Sequence, residues 1–349
     1  MTLTLVLAAL TAWALTGLLR RYALSRNVLD IPNERSSHTQ PTPRGGGVAF
    51  VLVFTVFATA MALSNNGLTP ALIGLLGAGL LVAITGFIDD HTPLPARWRL
   101  VGHFAGALCL LWAFNGLPTF NIFNTPLNLG AWGWLPGALY IVWLLNLYNF
   151  MDGIDGLAGA EALCVAGGGA LLYALLGHTQ MLWLPLLLTC SVLGFLVWNF
   201  PPAKIFMGDA GSGFLGITLA GLSLQAGHID PNLFYSWLIL LGVFVVDATL
   251  TLLRRLARKQ KVYQAHRSHA YQYASRKLGS HKPVTLAVIA INLLWLLPLA
   301  TATALQYING ITALAIAYVP LVIAAWRLGA GLPEPGTTQP THTMPAQHP

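Results

Sequence analysis

The stretch GALYIVWLLNLYNFMDGIDGLAG, residues 137–159, decides the fold class, because a long apolar run ends within it at two carboxylates. Asp152 and Asp155 stand three residues apart, and Asn149 lies just before them. Only 8% of the 349 residues are charged, whereas a soluble domain carries roughly 25% charged residues. Two acids at the end of an apolar segment therefore call for a cation or a function.

The apolar residues come in runs that are long enough to cross a bilayer. Hydrophobic residues make up 56% of the chain, and the mean hydropathy is +0.66. Runs of about 18–22 residues match the ~30 Å hydrocarbon core of a membrane. We therefore predict an all-α, polytopic integral membrane helix bundle with about eleven transmembrane helices. The predicted spans are 2–20, 46–64, 70–88, 99–115, 134–150, 158–176, 181–198, 211–227, 232–253, 284–305 and 309–327.

All 18 Lys and Arg residues fall on one face of this arrangement. They lie in the predicted loops 20–45, 89–99, 199–210 and 254–283, and at Arg327. The positive-inside rule makes this face cytoplasmic, together with loop 148–157. The N-terminus is then outside and the C-terminus inside. The membrane-embedded domain is predicted to span residues 1–328, and the Pro- and Thr-rich tail 329–349 to be a disordered cytoplasmic segment.

The charge balance indicates lipid and anionic substrates as partners. The net charge is +7, and it is concentrated on the face that lies beside the lipid headgroups. A basic face of this kind suits anionic lipid and phosphorylated substrates. It does not indicate a nucleic-acid partner.

Five of the 11 acidic residues sit where a predicted span meets the cytoplasm, namely Asp89, Asp90, Asp152, Asp155 and Asp209. Carboxylates at a membrane edge usually have a cation or a function. Mg²⁺ suits them, because it prefers oxygen ligands and is often shared with substrate phosphates; Mn²⁺ is an alternative ion. The competing interpretation is that these residues are solvated loop acids or partners of nearby arginines.

Other side chains on this face suit phosphate or nucleotide binding. Arg44 precedes three glycines at the start of the second span, where helix N–H groups attract anions. Phe206 is a candidate to stack on a base, and Lys204 is a candidate substrate contact nearby. A positive-inside arginine and an interfacial aromatic residue are the alternative interpretations of Arg44 and Phe206.

The long basic loop contains the sequence HRSHAYQ, residues 266–272. His266, Arg267 and His269 are candidate pyrophosphate contacts, and a solvated basic loop is the alternative. Three polar residues within predicted spans are expected to be structural, because acids and histidines at that depth usually find a partner inside the bundle. These residues are His103, Glu161 and Asp247.

Three motifs together resemble those of the polyprenyl-phosphate N-acetylhexosamine-1-phosphate transferases. They are DD at 89–90, NLYNFMDGIDGLAG at 146–159 and WNFPPAKIFMGDAGSGFLG at 198–216, and the resemblance runs from about residue 20 to residue 282. It implies a multi-pass protein of the bacterial cytoplasmic (inner) membrane with a periplasmic N-terminus. It also implies transfer of a sugar phosphate from a UDP-N-acetylhexosamine to undecaprenyl phosphate, with Mg²⁺ and release of UMP. A homodimer is an open alternative to a monomer.

The resemblance also implies a role for each candidate residue. Asp209 corresponds to the main Mg²⁺ ligand, and Asp89 and Asp90 to a pair near the metal and the lipid phosphate. Whether that pair includes a general base or only orients the reactants stays open. Asn149, Asp152 and Asp155 correspond to nucleotide and pyrophosphate contacts, Phe206 to the aromatic residue that stacks on uracil, and Arg44 to a basic residue near the nucleotide.

One departure from the family pattern bears on the substrate. The branch that handles the pentapeptide precursor of peptidoglycan has a tight His-rich run in the last loop, whereas here the sequence is AHRSHAYQ. This difference favours the branch that uses simple UDP-sugars. The sequence of residues 198–209 is most similar to that of O-antigen initiators, which use UDP-linked N-acetylfucosamine, N-acetylquinovosamine or N-acetylglucosamine. The pentapeptide transferase, a membrane transporter and an inactive scaffold are the alternatives.

Overall fold

The computed structural model describes residues 1–32, 40–64, 67–123, 125–260 and 266–333. Within these ranges the chain is almost entirely helical. The helices are α1 (Thr2–Ser25), α2 (Gly47–Ser64), α3 (Pro70–His91), α4 (Ala96–Ala113), α5 (Trp134–Met151), α6 (Leu157–Leu175), α7 (Trp183–Asn199), α8 (Asp209–Ile229), α9 (Pro231–Leu240), α10 (Gly242–Ala257), α11 (Ala270–Leu278), α12 (Lys282–Ile291), α13 (Leu297–Ala304) and α14 (Gly310–Arg327).

Two short antiparallel ribbons interrupt the helical pattern, and the sequence did not predict them. The strands are β1 (Leu29–Asp30), β2 (Thr42–Pro43), β3 (Phe120–Ile122) and β4 (Thr125–Leu127). β1 pairs with β2, and β3 pairs with β4. The first ribbon matters for function, because β2 leads directly to Arg44 and the start of α2.

The predicted class of an all-α membrane protein is confirmed. Six described helices are long and apolar enough to cross a membrane, and a seventh span is formed if the bent pair α9 and α10 counts as one. The eleven predicted spans each overlap a helix or helix pair, but α4, α5, α7 and α8 do not meet the same test of length and apolar character. The number of spans and the orientation of the termini therefore stay predictions.

Helix α8 forms the centre of the bundle. It packs against α3, α5 and α9, and nearly all of its residues from Ala210 to Gly227 are buried. A helix that is apolar around its whole circumference belongs in an interior. Asp209, the first residue of this buried helix, is thus held in place by packing along α8.

Two predicted continuous spans are irregular in the structure. The segment 232–253 breaks between α9 and α10, which meet at an angle of 70°. The segment 284–305 contains a π-helical turn at Asn292–Leu296 between α12 and α13. Asn292 lies at the start of that turn and donates a 2.7 Å hydrogen bond to Oε2 of Glu161, which is fully buried. The structural role predicted for Glu161 agrees with this contact.

The loops predicted to be cytoplasmic are shorter than expected, because several helices run past the predicted span ends. α1 continues to Ser25 and α3 to His91, so Asp89 and Asp90 belong to the last turn of α3. The predicted loop 254–283 contains α11, whose first amides, those of Ala270 and Tyr271, donate to Asp247 at 2.9 and 3.0 Å. Asp247 therefore caps α11, in keeping with its predicted structural role.

The first five residues of the predicted tail, residues 329–333, are part of the described structure. Ala330 among them is fully buried. The remaining tail, residues 334–349, lies outside the described residues.

Candidate active site

Three chain segments that are far apart in sequence meet at the start of α8. Arg44, in the turn between β2 and α2, places Nη2 2.7 Å from Oδ1 of Asp90 and 2.8 Å from Oδ1 of Asp209. Asp90 also accepts hydrogen bonds from the backbone amides of Asp209, at 3.0 Å, and Ala210, at 3.3 Å. Asp90 thus caps the N-terminus of α8 and fixes the position from which the Asp209 side chain extends.

The close approach of α3 to α8 requires a glycine at position 86. A Cβ atom on Gly86 would lie 2.5 Å from the carbonyl carbon and oxygen of Asp209 and 2.6 Å from the amide nitrogen of Ala210. Distances this short do not occur between non-bonded atoms. The first turn of α8 therefore rests directly on the backbone of α3.

The two adjacent acids of the DD pair have different partners. Asp89 accepts a 2.7 Å hydrogen bond from Nη1 of Arg99 and another of 2.7 Å from the amide of Leu94, whereas Asp90 pairs with Arg44. Two arginines on opposite sides thus relieve the repulsion between neighbouring carboxylates. The interpretation of these acids as partners of nearby arginines describes this geometry correctly.

A small cavity separates Asp89 from Asp209. Its volume is about 20 Å³, room for roughly one water molecule. Asn149 lines the same cavity and donates a 3.0 Å hydrogen bond from Nδ2 to the Ser212 hydroxyl on α8. Half-buried His103 forms another part of the wall. Within the described ranges, no group of three His, Cys, Asp or Glu side chains is arranged as a ready-made metal site.

Asp152, directly after α5, lies in the field of this cluster. Burial, followed by the negative charge of Asp209, raises the pKa of Asp152 to about 7. The carboxylate of Asp90 acts in the same direction, and Arg44 opposes it. Asp152 is thus electrostatically coupled to Asp209, Asp90 and Arg44, although burial is the main cause of its raised pKa.

Asp155 joins three segments of the predicted cytoplasmic face. Its Oδ2 accepts a 2.9 Å hydrogen bond from the amide of Ala203, and its Oδ1 lies 3.1 Å from Nδ1 of His281. Its backbone carbonyl accepts a 2.9 Å hydrogen bond from Thr285 in α12. Sequence reasoning missed His281 and Thr285. The only available signal was the Pro after Lys282, which predicts a helix start there but not a contact 126 positions away.

A groove of about 660 Å³ opens beside Asp155. Phe206 and Arg267 line it, so the structure brings together three of the predicted site residues. Arg276 and Lys282, which the sequence identified only as part of a basic loop, line the same groove. An aromatic ring beside several cations matches the shape and charge of a nucleotide with its phosphates.

His266 and His269 lie against the end of α5. Their rings stack with centroids 4.9 Å apart, and the His269 ring lies 6.4 Å from that of Phe150. Burial, with the proximity of His269, lowers the pKa of His266 to about 3, so His266 is neutral near pH 7. His269 is only 3% exposed and is the N-cap residue of α11. Tyr271 donates a 3.0 Å hydrogen bond to the Phe150 carbonyl, which ties the HRSHAYQ segment to the acidic loop.

The side chain of Lys204 lies against Trp198 and does not line the groove. Its Nζ lies 5.6 Å from the ring centroid of Trp198, and its carbonyl accepts a 3.2 Å hydrogen bond from Nε of Arg20 in α1. Among the described residues that line the groove, Lys204 is absent. Its predicted role as a substrate contact stays a prediction.

Comparison with known proteins places this site in a family. A model described as "Glycosyl transferase family 4" matches residues 72–227, the range that contains all five acids of the predicted cytoplasmic face. A Mycobacterium leprae protein named decaprenyl-phosphate N-acetylglucosaminephosphotransferase is 30% identical over 316 residues, which cover 80% of this chain and 78% of the relative. This chain belongs to glycosyl transferase family 4. The resemblance that its motifs predicted is confirmed.

Other members of glycosyl transferase family 4 differ in how much of the chain they match. A Bacillus subtilis protein named "Probable undecaprenyl-phosphate N-acetylglucosaminyl 1-phosphate transferase" is 29% identical over 298 residues, covering 83% of this chain and 81% of the relative. A Moorella thermoacetica protein named phospho-N-acetylmuramoyl-pentapeptide-transferase is 36% identical, but over 204 residues that cover 53% of this chain and 61% of the relative.

Proposed function

We propose that this protein transfers an N-acetylhexosamine-1-phosphate from a UDP-sugar to undecaprenyl phosphate. The observation that carries the proposal is the Arg44–Asp90–Asp209 cluster at the start of α8. The backbone connects it to the groove lined by Phe206 and basic side chains, because the Phe206 amide donates a 2.8 Å hydrogen bond to the carbonyl of Pro43, the residue before Arg44. Relatives named for transfer of N-acetylglucosamine phosphate to polyprenyl phosphates, which align with about four fifths of the chain, support it.

The proposed reaction exchanges one phosphoanhydride bond for another. An oxygen of the lipid phosphate attacks the phosphorus that bears the sugar, and the bond from that phosphorus to the UMP oxygen breaks. UMP leaves with the bonding electron pair, and a lipid-linked sugar diphosphate remains. Because the bond broken and the bond formed are alike, the protein's work is to position the phosphates and neutralise their charge. Arg44 contributes such positive charge beside Asp209.

The donor atoms at the start of α8 fit Mg²⁺, with Mn²⁺ as an alternative. Asp209 and Asp89 line one small cavity, and the carboxylate of Asp152 lies near enough for the negative charge of Asp209 to raise its pKa, after the larger effect of burial. Mg²⁺ usually takes one or two carboxylates and completes its coordination with substrate phosphates and water. Asp209 and Asp89 are therefore the residues we expect to hold it, and the bound ion would neutralise phosphate charge.

The donor that we propose is a simple UDP-N-acetylhexosamine for O-antigen initiation in lipopolysaccharide biosynthesis. N-acetylglucosamine, N-acetylfucosamine and N-acetylquinovosamine are the sugars considered. The AHRSHAYQ loop, which departs from the His-rich run of the pentapeptide branch, supports this choice. The pentapeptide transferase is the second candidate, because the 36% identity of such a relative over 204 residues favours it.

The proposal is tested by UMP release from purified protein with undecaprenyl phosphate and Mg²⁺. UDP-N-acetylglucosamine, the two other UDP-sugars and UDP-N-acetylmuramoyl-pentapeptide are supplied in separate reactions. We expect release from at least one UDP-N-acetylhexosamine, loss of release with EDTA, and recovery on adding Mg²⁺. Release from the pentapeptide donor alone would favour the second candidate, and release from none of the four would overturn both.

A further inference from the structure

The six residues after α14, residues 328–333, fold back over the cytoplasmic face, and we call them the C-terminal clasp. The amide of Gly331 donates a 2.7 Å hydrogen bond to the Ser268 carbonyl. Arg254 in α10 donates from Nη1 to the Ala330 carbonyl at 2.7 Å. The Tyr273 hydroxyl in α11 donates to the Leu332 carbonyl at 2.8 Å. The clasp thus connects α10, α11 and the loop between them.

The clasp is packed and not merely laid on the surface. Ala330 is fully buried. The guanidinium carbon of Arg254 lies 3.9 Å from the ring centroid of Trp326, in the last turn of α14, so the same arginine fixes both the clasp and the helix that precedes it. Gly331 has φ +74°, a left-handed conformation that glycine adopts at little cost.

The clasp holds the loop that carries Arg267. Ser268, whose carbonyl accepts from Gly331, is the next residue after Arg267, and Arg267 lines the groove beside Phe206. On the other side of Ser268, Asp247 receives the amides of Ala270 and Tyr271, as described above. The backbone of residues 268–271 is therefore fixed from two directions, by the clasp and by α10.

We propose that the C-terminal clasp positions Arg267 in the groove and thereby sets the affinity for the diphosphate of the donor. The inference rests on the proposed function in one respect only, the identity of the ligand as a UDP-sugar. Among the described residues, the hydrogen bonds that the clasp makes beyond itself and α14 go to α10, α11 and Ser268, and none goes to Arg44, Asp90 or Asp209. Loosening it is thus expected to weaken donor binding while the reacting cluster stays in place.

Two glycines within the clasp provide a matched test. A methyl group on Gly331 would lie 2.8 Å from Arg254 Cβ and 2.9 Å from the Thr251 carbonyl oxygen, whereas a methyl group on Gly329 would lie no closer than 3.5 Å to its neighbour Leu332 Cδ1. Both positions have positive φ, +74° and +88°, so both alanines carry a similar conformational cost. Any difference between Gly331→Ala and Gly329→Ala therefore reports the displacement of the clasp and not the cost of placing alanine at positive φ.

We expect Gly331→Ala to raise the donor KM about tenfold, the effect of weakening one hydrogen bond to a charged group. The kcat and the KM for undecaprenyl phosphate are expected to stay within about twofold of the wild type, because only donor binding is affected. Gly329→Ala is expected to leave all three unchanged. Equal donor KM in the two variants, or a loss confined to kcat, would overturn the proposal.

A second variant and a measurement without turnover cover the case in which Gly331→Ala folds poorly or the activity assay fails. Tyr273→Phe removes the hydrogen bond to Leu332 and is expected to raise the donor KM in the same direction. Hydrogen exchange of the amides 266–272 is expected to be faster in Gly331→Ala and in Tyr273→Phe than in Gly329→Ala. Absence of UMP release by the wild-type protein would refute only the proposed function. Equal rates of hydrogen exchange at amides 266–272 in all variants would refute the positioning role of the clasp.

Discussion

At the scale of single residues, two arginines determine which acids of the predicted cytoplasmic face form ion pairs and which side chain stays accessible. Arg44 holds Asp90 and Asp209 together, while Arg99 draws Asp89 to the other side of the pair. Of these acids, Asp209 keeps the most exposed side chain, at 24%, against 9% and 4% for Asp89 and Asp90. Of these three carboxylates, Asp209 is therefore the most accessible to an ion or a phosphate from solvent.

Asp209→Asn should reduce kcat by roughly 10²–10³, the range found when one preorganised charge-stabilising group is removed. The amide retains the size of the carboxylate and an oxygen for Arg44, so the melting temperature in detergent should change little. UMP release and thermal unfolding measure the two effects. Asp230→Asn, at the N-cap of α9, is the control, because Asn also caps helices well. Wild-type turnover in Asp209→Asn would exclude Asp209 from the reaction.

The raised pKa of Asp152 predicts a pH dependence of stability. Burial and the charge of Asp209 raise it to about 7 from an ordinary value of 3.8, so the folded protein binds a proton that the unfolded chain has already lost between these two pH values. Stability of metal-free protein should therefore fall as the pH rises from about 4 to about 7. Asp152→Asn should remove this component, and added Mg²⁺ should reduce it. Identical melting curves against pH for wild type and Asp152→Asn would contradict the prediction.

At the scale of elements, the site depends on the contact between two helices. The backbone of α3 meets the first turn of α8 at Gly86, and the carboxylate of Asp90, one helical turn further along α3, caps that same turn. Position and orientation of Asp209 are thus set by α3. A displacement of α8 by about one ångström is expected to matter more than the loss of any peripheral side chain.

Gly86→Ala should lower kcat about 100-fold, because its methyl group would push the start of α8 away from α3. Gly77→Ala is the matched control on the same helix, since a Cβ there meets nothing within 4 Å. That control should keep full activity and gain slightly in melting temperature, as alanine favours a helix over glycine. Equal activity of the two variants would show that the close contact at Gly86 does not position the site.

The helices were predictable from the sequence, but their irregularities were not. Apolar runs gave all eleven predicted segments a helical counterpart, because hydrocarbon thickness imposes a length on such runs. Hydropathy does not reveal the break after Leu240 or the π turn at Asn292, because both lie within apolar sequence. The contact of Asn292 with Glu161, which accompanies the π turn, depends on packing between distant helices.

The candidate site was predictable in its membership more than in its pairings. Motifs with acids at helix ends identified Asp89, Asp90 and Asp209. Charged residues are rare in this apolar chain, so each one is more informative than it would be in a soluble protein. The residues that pair with these acids could not be predicted from the motifs, because the pairs join distant parts of the sequence. Asp155 and His281 are 126 positions apart, and the direction of Lys204 toward Trp198 depends on the packing of α1 against α7.

At the scale of the whole molecule, the arrangement of charge predicts the orientation in the membrane. The described basic residues and the candidate site lie together at the ends of helices that the positive-inside rule assigns to the cytoplasm. A fluorescent protein fused after residue 349 should therefore fluoresce in cells, and an alkaline phosphatase fused there should be inactive. The opposite pair of results would place the groove, and the proposed UDP-sugar site, on the wrong side of the membrane.

The engagement of Asp90 restricts where protons can go in the proposed reaction. Both of its oxygens receive amides of α8, and one also meets Arg44, so taking up a proton would weaken the hold on that helix. Burial nevertheless raises the pKa of Asp90 to about 6, so a proton taken up there near that pH would loosen the start of α8. The attacking lipid does not require a base, because a phosphate monoester, whose second pKa is about 6, is largely ionised at neutral pH.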